Sequence, residues 1–517
     1  MKLKPFKNEP PVDFSKPREA AKMKRAIDSV RGKLGKEHPI WIGAQKFQSP
    51  DKFRSYNPAH RAQVIGVFQK GTPEHADKAV QAAHQAFRSW SAVSPEKRAQ
   101  YLIKVASVMR KRKFEMAAWL VFEVGKSWVE ADADVAEAID FAEFYAREML
   151  RLGGPQPLVR FAGERNELRY IPLGVGIVIP PWNFPLAIMA GMAFASIVAG
   201  NTVVLKPSSD APAIAAQLMQ IFAEVGLPPG VVNLLTGSGA EIGNALVAHP
   251  KTRYVAFTGS KEVGLHINQL ASQVQNGQMW IKRVIAEMGG KDSIIVDSDV
   301  DLDKAADGVV ASAFGYQGQK CSACSRVIVV DKVYDKFVSR LVARTQQLHM
   351  GPPDDPSVNF GPVINDGAMR KITSYIEKGK GEGKLLTGGS IHQEQGFFVE
   401  PTIIADVMPG AAIAQEEIFG PVLAVMRAKD YDEALRIANN TEYGLTGAVY
   451  TKSKKKIAQA KQQFHVGNLY FNRKCTGALV GVHPFGGFNM SGTDSKAGGR
   501  DYLLLFTQAK VMSEKVR

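Results

Sequence analysis

Cysteine is scarce here: Cys321, Cys324 and Cys475 are the whole complement of a 517-residue chain. Three thiols cannot build a disulfide framework, and nothing else in the sequence points to secretion. Long apolar runs are also missing. The stretch opening near Gly174 is broken by Pro181, Asn183 and Pro185. The unbroken remainder, 186–200, falls short of the ~20 residues a membrane span needs and reads as a buried helix. Residues 1–40 are rich in Lys and Arg but have no apolar core, which argues against a signal peptide. The chain therefore reads as cytoplasmic, with no membrane partner. No RNP-like, zinc-finger or basic-zipper pattern is found, and no metal site is expected. The formal charge of +15 then reads as a solvated basic surface, suited to drawing in an anionic substrate rather than nucleic acid. Most Lys and Arg are interspersed with Glu and Asp. Two basic runs, 110–113 and 454–456, read as exposed helix faces.

What is present is ordinary for a globular chain: 45% apolar and 22% charged residues. The length exceeds one usual core and implies two or more domains. Residues 1–36 read as a charged, weakly periodic lead-in. "SYNP" at 55–58 followed by 63–67 reads as a turn and strand. Apolar residues recur at helical spacing over 72–93, 94–124 and 132–150, with Pro73 and Pro95 near first-turn positions. The texture then changes. Short β-branched runs at 173–179, 202–205, 231–235 and 254–257 alternate with helical stretches at 186–199, 211–225 and 241–248. A second such series runs through strands at 293–296, 327–330, 396–407 and 423–428, with helices at 305–314, 333–348 and 432–439. Alternation of this kind predicts two parallel α/β units, the first ending near Gly290.

Four local features could carry chemistry. Cys321 lies in "GYQGQKCSACSR", between a helix and a strand, with Lys320 beside it; a basic neighbour favours the reactive thiolate. A buried structural cysteine is the commoner fate of a lone thiol. Cys324 has no adjacent cation, and Cys475 reads as a bystander in a loop. Glu287 opens "EMGGKD", where paired glycines suit a tight turn holding a carboxylate that could take a proton from water; a solvated loop glutamate is the plainer alternative. Asn183, between two aromatics in "PPWNFP" at a strand end, could donate to an oxyanion. "TGSGAEIG" and "FTGSKEVG" each lead from strand to helix, which suits amides aimed at phosphate, although neither is the GxGxxG fingerprint.

Taken in order, "PWNFP", "LKPS", "FTGSKEVG", "EMGGKD", "GQKCSA", "EEIFGPV" and "PFGGFNMSG" resemble the aldehyde dehydrogenase superfamily from about Ser55 to the C-terminus. The resemblance implies an α/β fold with a Rossmann-like cofactor domain (1–154 and 174–289), a catalytic α/β domain (290–488) and a small oligomerisation element (155–173 and 498–517). It also implies a homodimer that assembles further. By the same resemblance Cys321 is the nucleophile, Glu287 the general base, and Asn183 the oxyanion donor beside the Cys321 backbone N–H. Lys206 would hold the adenosine ribose. Ser260 and Trp182, with Gly259 and Gly264, would meet the pyrophosphate region, and Glu417 the nicotinamide ribose beside Phe419. Strict NAD users of the family carry a Glu where this chain has Ser209, so NAD with some tolerance of NADP is expected.

One branch is resembled more closely, that of enzymes oxidising L-glutamate γ-semialdehyde, the open form of 1-pyrroline-5-carboxylate. The features are Lys320 before the nucleophile, Ser322 after it, and the loop "NRKCTGALVGVHPFGG". The resemblance implies that Ser322 and the backbone amides of Gly477 and Ala478 bind the substrate carboxylate, that Lys320 is a further substrate-binding residue, and that Phe184 and Phe485 wall the substrate's aliphatic part. A glycine-containing loop can turn its N–H groups toward a carboxylate. A dehydrogenase for another carboxylated semialdehyde, succinic or α-aminoadipic, is the alternative within the class. A non-catalytic nucleic-acid-binding protein is the alternative outside it, disfavoured by the intact Cys321, Glu287 and Asn183.

Overall fold

The computed structural model describes residues 3–516; positions 1, 2 and 517, at the outer ends of the expected segments 1–154 and 498–517, lie outside the described residues. Two seven-stranded sheets form its frame. In the first, Arg283–Glu287, Thr252–Thr258, Val175–Ile179, Thr202–Leu205 and Val232–Leu234 run parallel. Ile40–Ile42 and Gln45–Phe47 close one edge antiparallel. In the second, Thr402–Ala405, Val422–Ala428, Cys324–Val330, Asp292–Val296, Thr446–Tyr450 and Asn468–Phe471 are parallel, with Lys384–Thr387 antiparallel at an edge. The alternating runs of the sequence thus become the strands expected of them. Thr202–Leu205 and Asp292–Val296 are buried at every position, as strands covered by helices on both faces must be. The first sheet ends at Glu287 and the second begins at Asp292. Only "MGGK" separates them.

Helix starts follow local chemistry. Thr72 and His75 cap Pro73–Ser91 reciprocally, Ser94 caps Pro95–Lys111, and Ser127 caps Trp128–Leu152. The helix expected over 94–124 divides at Arg112 into Pro95–Lys111 and Lys113–Val124. The strand expected over 396–407 divides into Phe398–Val399 and Thr402–Ala405, because Pro401 has no N–H to give a ladder.

Two expectations are corrected. The lead-in 1–36 contains a helix, Pro17–Arg31, whose Met23, Ile27 and Val30 enter the core; the charged residues crowded around this short apolar stripe hide its period in the sequence. The run 110–113 is not wholly exposed, since Lys113 is buried and its Nζ lies 3.1 Å from Asp132 and donates to the Pro10 carbonyl at 3.0 Å. A peripheral two-stranded antiparallel sheet pairs Glu164–Pro172 with Thr507–Lys515. Among the described residues, no helix is long and apolar enough to cross a membrane.

Candidate active site

The helix Leu302–Phe314 delivers the chain to a reversal in which Tyr316, Gln317 and Gly318 all take positive φ (52°, 57° and 67°). Two non-glycine residues in that region cost energy and persist only where neighbours over-determine them. The neighbours do so here. Tyr316 donates its hydroxyl to the Val124 carbonyl at 2.8 Å, Gln317 Nε2 donates to the Pro362 carbonyl at 2.7 Å, and Gln319 Oε1 accepts the Ile364 N–H at 2.9 Å. Gly318 packs on the Gly420 carbonyl so closely that a Cβ would clash. This pinned turn presents Cys321, half-buried, to a cavity of about 440 Å³ between the two sheets.

Asn183 lines the same cavity; its side-chain amide is buried and donates to the Gln319 carbonyl at 2.9 Å, two residues from Cys321. Among the described residues no acceptor takes the Cys321 backbone N–H. The two groups expected to share an oxyanion are therefore brought together. The paired glycines of "EMGGKD" have a different cause from the tight turn expected. Neither has positive φ. A Cβ on Gly289 would strike the Glu417 carboxylate, and one on Gly290 would lie 2.5 Å from the Cys321 carbonyl. They are small so that two functional segments can pass.

Lys320, whose position beside the thiol suggested an activating charge, is engaged with an acid. Its ammonium is 2.6 Å from Glu130 Oε1. Burial pushes the Cys321 thiol well above its ordinary value, and Asp292, Glu417 and Glu287 push the same way by charge. At rest these influences hold the Cys321 side chain toward its neutral thiol form. Glu287 ends the strand Arg283–Glu287, and its carboxylate accepts from the Ser495 hydroxyl and from the Gly487 N–H at 3.2 Å. Burial raises its carboxyl to about 8 against the pull of those two bonds. The cavity wall at this point is Met288 and Gly289 rather than Glu287.

Along the cavity from Cys321, Trp182 and Phe419 meet edge to face at 5.5 Å, and Phe419 holds a positive φ of 59°. Glu417 lines the wall and accepts the Gly290 N–H at 3.0 Å. Gly259 and Ser260 line it where Ser260 caps the helix Lys261–Ser272. Lys206 is buried, and its ammonium has the Pro207 carbonyl at 3.3 Å as partner; burial lowers it to about 8. A buried cation so poorly satisfied, set in an apolar-walled cleft, suits a ligand bringing hydroxyl or phosphate oxygens. Two expected cofactor residues stand apart. Gly264 is packed against Met288, where a Cβ would lie 2.5 Å from Sδ, and does not line the cavity. Ser209 is exposed with its hydroxyl on the Gly237 carbonyl at 3.4 Å, and Ser208 faces the cavity in its stead.

On the other side of Cys321, Ser322 is buried and tied to the 476–478 loop, because Cys475 Sγ donates to the Ser322 carbonyl at 3.3 Å. Cys475 is therefore no bystander. Gly477 has φ 77°, and no acceptor among the described residues takes the N–H of Gly477 or Ala478. Phe184 lies under two cations, Lys126 at 3.7 Å and Lys320 at 5.9 Å from its ring centre. Phe485 is half-buried and bonded through its N–H to Ala497 O at 2.9 Å.

The acidic face behind Phe184 was not anticipated from the residues. Lys126 and Asp134 form a fully buried ion pair at 2.8 Å, and Asp134 also accepts the Ala187 N–H at 2.7 Å. Burial and the Asp134 charge raise the nearby Glu137 to about 8. Glu130, Asp134 and Glu137 share one face of Trp128–Leu152 at helical spacing. That 4-then-3 spacing of acids beside buried alanines was the available signal.

With this geometry in place, the sequence matches the aldehyde dehydrogenase family over residues 44–512. The chain belongs to that family. A 1-pyrroline-5-carboxylate dehydrogenase of Geobacillus thermodenitrificans is 55% identical over 512 residues, covering 99% of each chain. The enzyme of that name from Bacillus subtilis is 55% identical over 509 residues, 98% of this chain and 99% of the other. The crystal structure of 1-pyrroline-5-carboxylate dehydrogenase from Thermus with bound NAD has a TM-score of 0.98 at 49% identity and covers 100% of both chains. An aldehyde dehydrogenase fold is what the paired sheets and the turn at Cys321 compose.

Proposed function

We infer that this aldehyde dehydrogenase oxidises L-glutamate γ-semialdehyde to L-glutamate with NAD as the oxidant. The carrying observation is the pair of unspent N–H groups on Gly477 and Ala478, in a loop tied by Cys475 to Ser322, one residue from the nucleophile. Such a pair, in a loop anchored to the residue that follows Cys321, suits a carboxylate receptor for an aldehyde held at that thiol. The names of the full-length relatives agree with this reading. The cleft suits NAD: Lys206 and, more peripherally, Ser209 would hold the adenosine ribose, Ser260, Gly259 and Trp182 the pyrophosphate, and Glu417 with Phe419 the nicotinamide ribose. When bound, NAD supplies the acceptor for the hydride that the aldehyde carbon loses.

The chain's own part is covalent catalysis. The Cys321 thiol gives its proton to water as Sγ adds to the aldehyde carbon, and the sulfur recovers a proton from water after it leaves. Asn183 Nδ2 and the Cys321 N–H then hold the oxygen on which negative charge develops. Once that carbon is at the acyl level, Glu287 takes a proton from water, the hydroxide adds to the thioester, and the Cys321 sulfur leaves. Glu287 must first be ionised and released from Ser495 and Gly487 to reach that water.

We also propose a division into a cofactor domain of 1–154 and 174–289, a catalytic domain of 290–488 and an oligomerisation element of 155–173 and 498–517. The change of sheet between Glu287 and Asp292 supports the first boundary. The exposed Val159, Phe161 and Val511 on or beside the peripheral strand pair support a self-association surface, hence a homodimer that builds further. The cytoplasm is the proposed site of action. The deciding experiment is NADH formation from racemic pyrroline-5-carboxylate, with Cys321→Ala as control. Equal or faster turnover of succinic semialdehyde would overturn the substrate assignment.

A further inference from the structure

The segment before the helix Pro17–Arg31 has no regular structure of its own, yet it is tied down along its length. The Lys4 carbonyl accepts from Arg147 Nε at 3.0 Å, and the Pro10 carbonyl accepts from Lys113 Nζ at 3.0 Å. The Glu9 N–H donates to Asp140 Oδ1 at 2.6 Å, and the Val12 N–H donates to Asp132 Oδ2 at 2.8 Å. Glu9 also pairs with Arg110 at 2.7 Å. These partners lie on or beside the helix Trp128–Leu152, so residues 4–12 form a strap along it.

The strap also touches the substrate side of the site. Asn8 uses both amide hydrogens at once: Nδ2 donates to Asp140 Oδ2 at 2.7 Å and to the Val480 carbonyl at 3.0 Å. Phe6 meets Phe144 edge to face at 5.2 Å. The two rings confine Gly481, where a Cβ would lie 3.2 Å from Phe6 and 3.0 Å from Phe144. Gly481 has φ 76°, so it must be glycine for its backbone as well. The loop carrying Gly477 and Ala478 is thus fixed at both ends. Cys475 holds one end to Ser322, and Asn8 with Phe6 holds the other to the helix. Between those anchors, Gly477 and Leu479 are exposed.

We propose that the N-terminal strap is a specificity device, in which Asn8 and Phe6 hold the 476–480 loop in the conformation that aims the Gly477 and Ala478 N–H groups at the substrate carboxylate. This rests on the semialdehyde reading above. An anion nest binds only while its backbone angles are held, because each N–H must converge on the same oxygens. Asn8 is a positioning residue: it touches the loop and not the substrate. Its removal loosens recognition of the carboxylate and leaves the chemistry at Cys321 untouched.

The test compares pyrroline-5-carboxylate with butanal, which has the same reacting end and lacks the carboxylate, in the full-length wild-type, Asn8→Ala and Phe6→Leu enzymes. In Asn8→Ala the KM for pyrroline-5-carboxylate rises about tenfold, the effect of one lost hydrogen bond in a rigid site. Its kcat and its kcat/KM for butanal stay within about twofold. Phe6→Leu, which keeps an apolar side chain, moves the same KM in the same direction by a smaller factor and decides alone should Asn8→Ala fail to fold. An unchanged KM in the folded variants, or a parallel loss on both aldehydes, would overturn the strap while leaving the substrate assignment intact. A wild-type enzyme with no preference for pyrroline-5-carboxylate over butanal would overturn the assignment itself, and the strap with it.

Discussion

The two sides of Cys321 are built on opposite plans. Toward the cofactor cleft the walls are Ile179, Trp182, Phe257, Val263 and Ile364, and the buried Lys206 ammonium has a carbonyl at 3.3 Å in place of a carboxylate. Toward the substrate loop, lysines are matched with carboxylates: Lys126 with Asp134 and Lys113 with Asp132, both buried, and Lys320 with Glu130, half-buried. The open side leaves its polar groups for an arriving ligand. The paired side satisfies them within the protein and so fixes the shape of the Phe184 wall. Changes on the open side should therefore alter binding, and changes on the paired side should alter stability.

The boundary between the two sides gives the largest expected effect. Cys321→Ala should lower turnover by at least about 10⁴-fold, as loss of a covalent nucleophile does, with an unchanged unfolding temperature; residual turnover near wild type would remove Cys321 from the mechanism. Glu287→Gln should come next, with steady-state turnover down about 10²–10⁴-fold while rapid mixing still records a first-turnover burst of NADH. Loss of the burst would place Glu287 before the thioester rather than after it. A carboxyl held near 8 carries a proton below that pH and cannot take one. Wild-type turnover limited by hydrolysis should thus climb as pH rises toward about 8 and then level off, and a flat profile would contradict the assignment.

On the paired side, Lys126→Met strands the Asp134 carboxylate in the core and should cost about 3–5 kcal/mol of unfolding free energy. Denaturant titration checks this, and Lys126→Met with Asp134→Leu should recover part of the loss. On the open side, Lys206→Met should raise the KM for NAD about tenfold, by the loss of a charge-assisted hydrogen bond. Its stability should be unchanged or higher, because the buried ammonium has so little to satisfy it. Equal destabilisation by the Lys126 and Lys206 variants would erase the contrast. The smallest effect is expected of Ser209→Glu, which should lower the ratio of NADP to NAD activity. Because Ser209 is exposed and Ser208 faces the cavity, the position tunes the rim of the cleft rather than its floor.

Much of the fold was legible because parallel strands buried on both faces leave unbroken β-branched runs, as at Thr202–Leu205 and Val422–Ala428. The helix Pro17–Arg31 was not, since three core contacts in a highly charged segment give little periodic signal. The site was legible as a set of motifs. Its electrostatics were not, because a charge seen beside a residue in sequence can be spent elsewhere in space. Lys320 is the example: adjacent to Cys321, it belongs to Glu130, 190 residues away.

By itself, then, the sequence determined the alternation of strands and helices and named the candidate reacting groups, since side-chain chemistry and local periodicity are written in the residues. The tertiary structure decided what those groups feel and whom they touch. Burial pushed the Cys321 thiol upward and raised Glu287 to about 8. Close packing assigned Gly289 to Glu417 and Gly264 to Met288. Asn8 and Cys475, 467 positions apart in the chain, became the two ends of one clamp on the substrate loop. Dielectric environment and long-range contact depend on the whole folded chain, and no local reading of residues contains them.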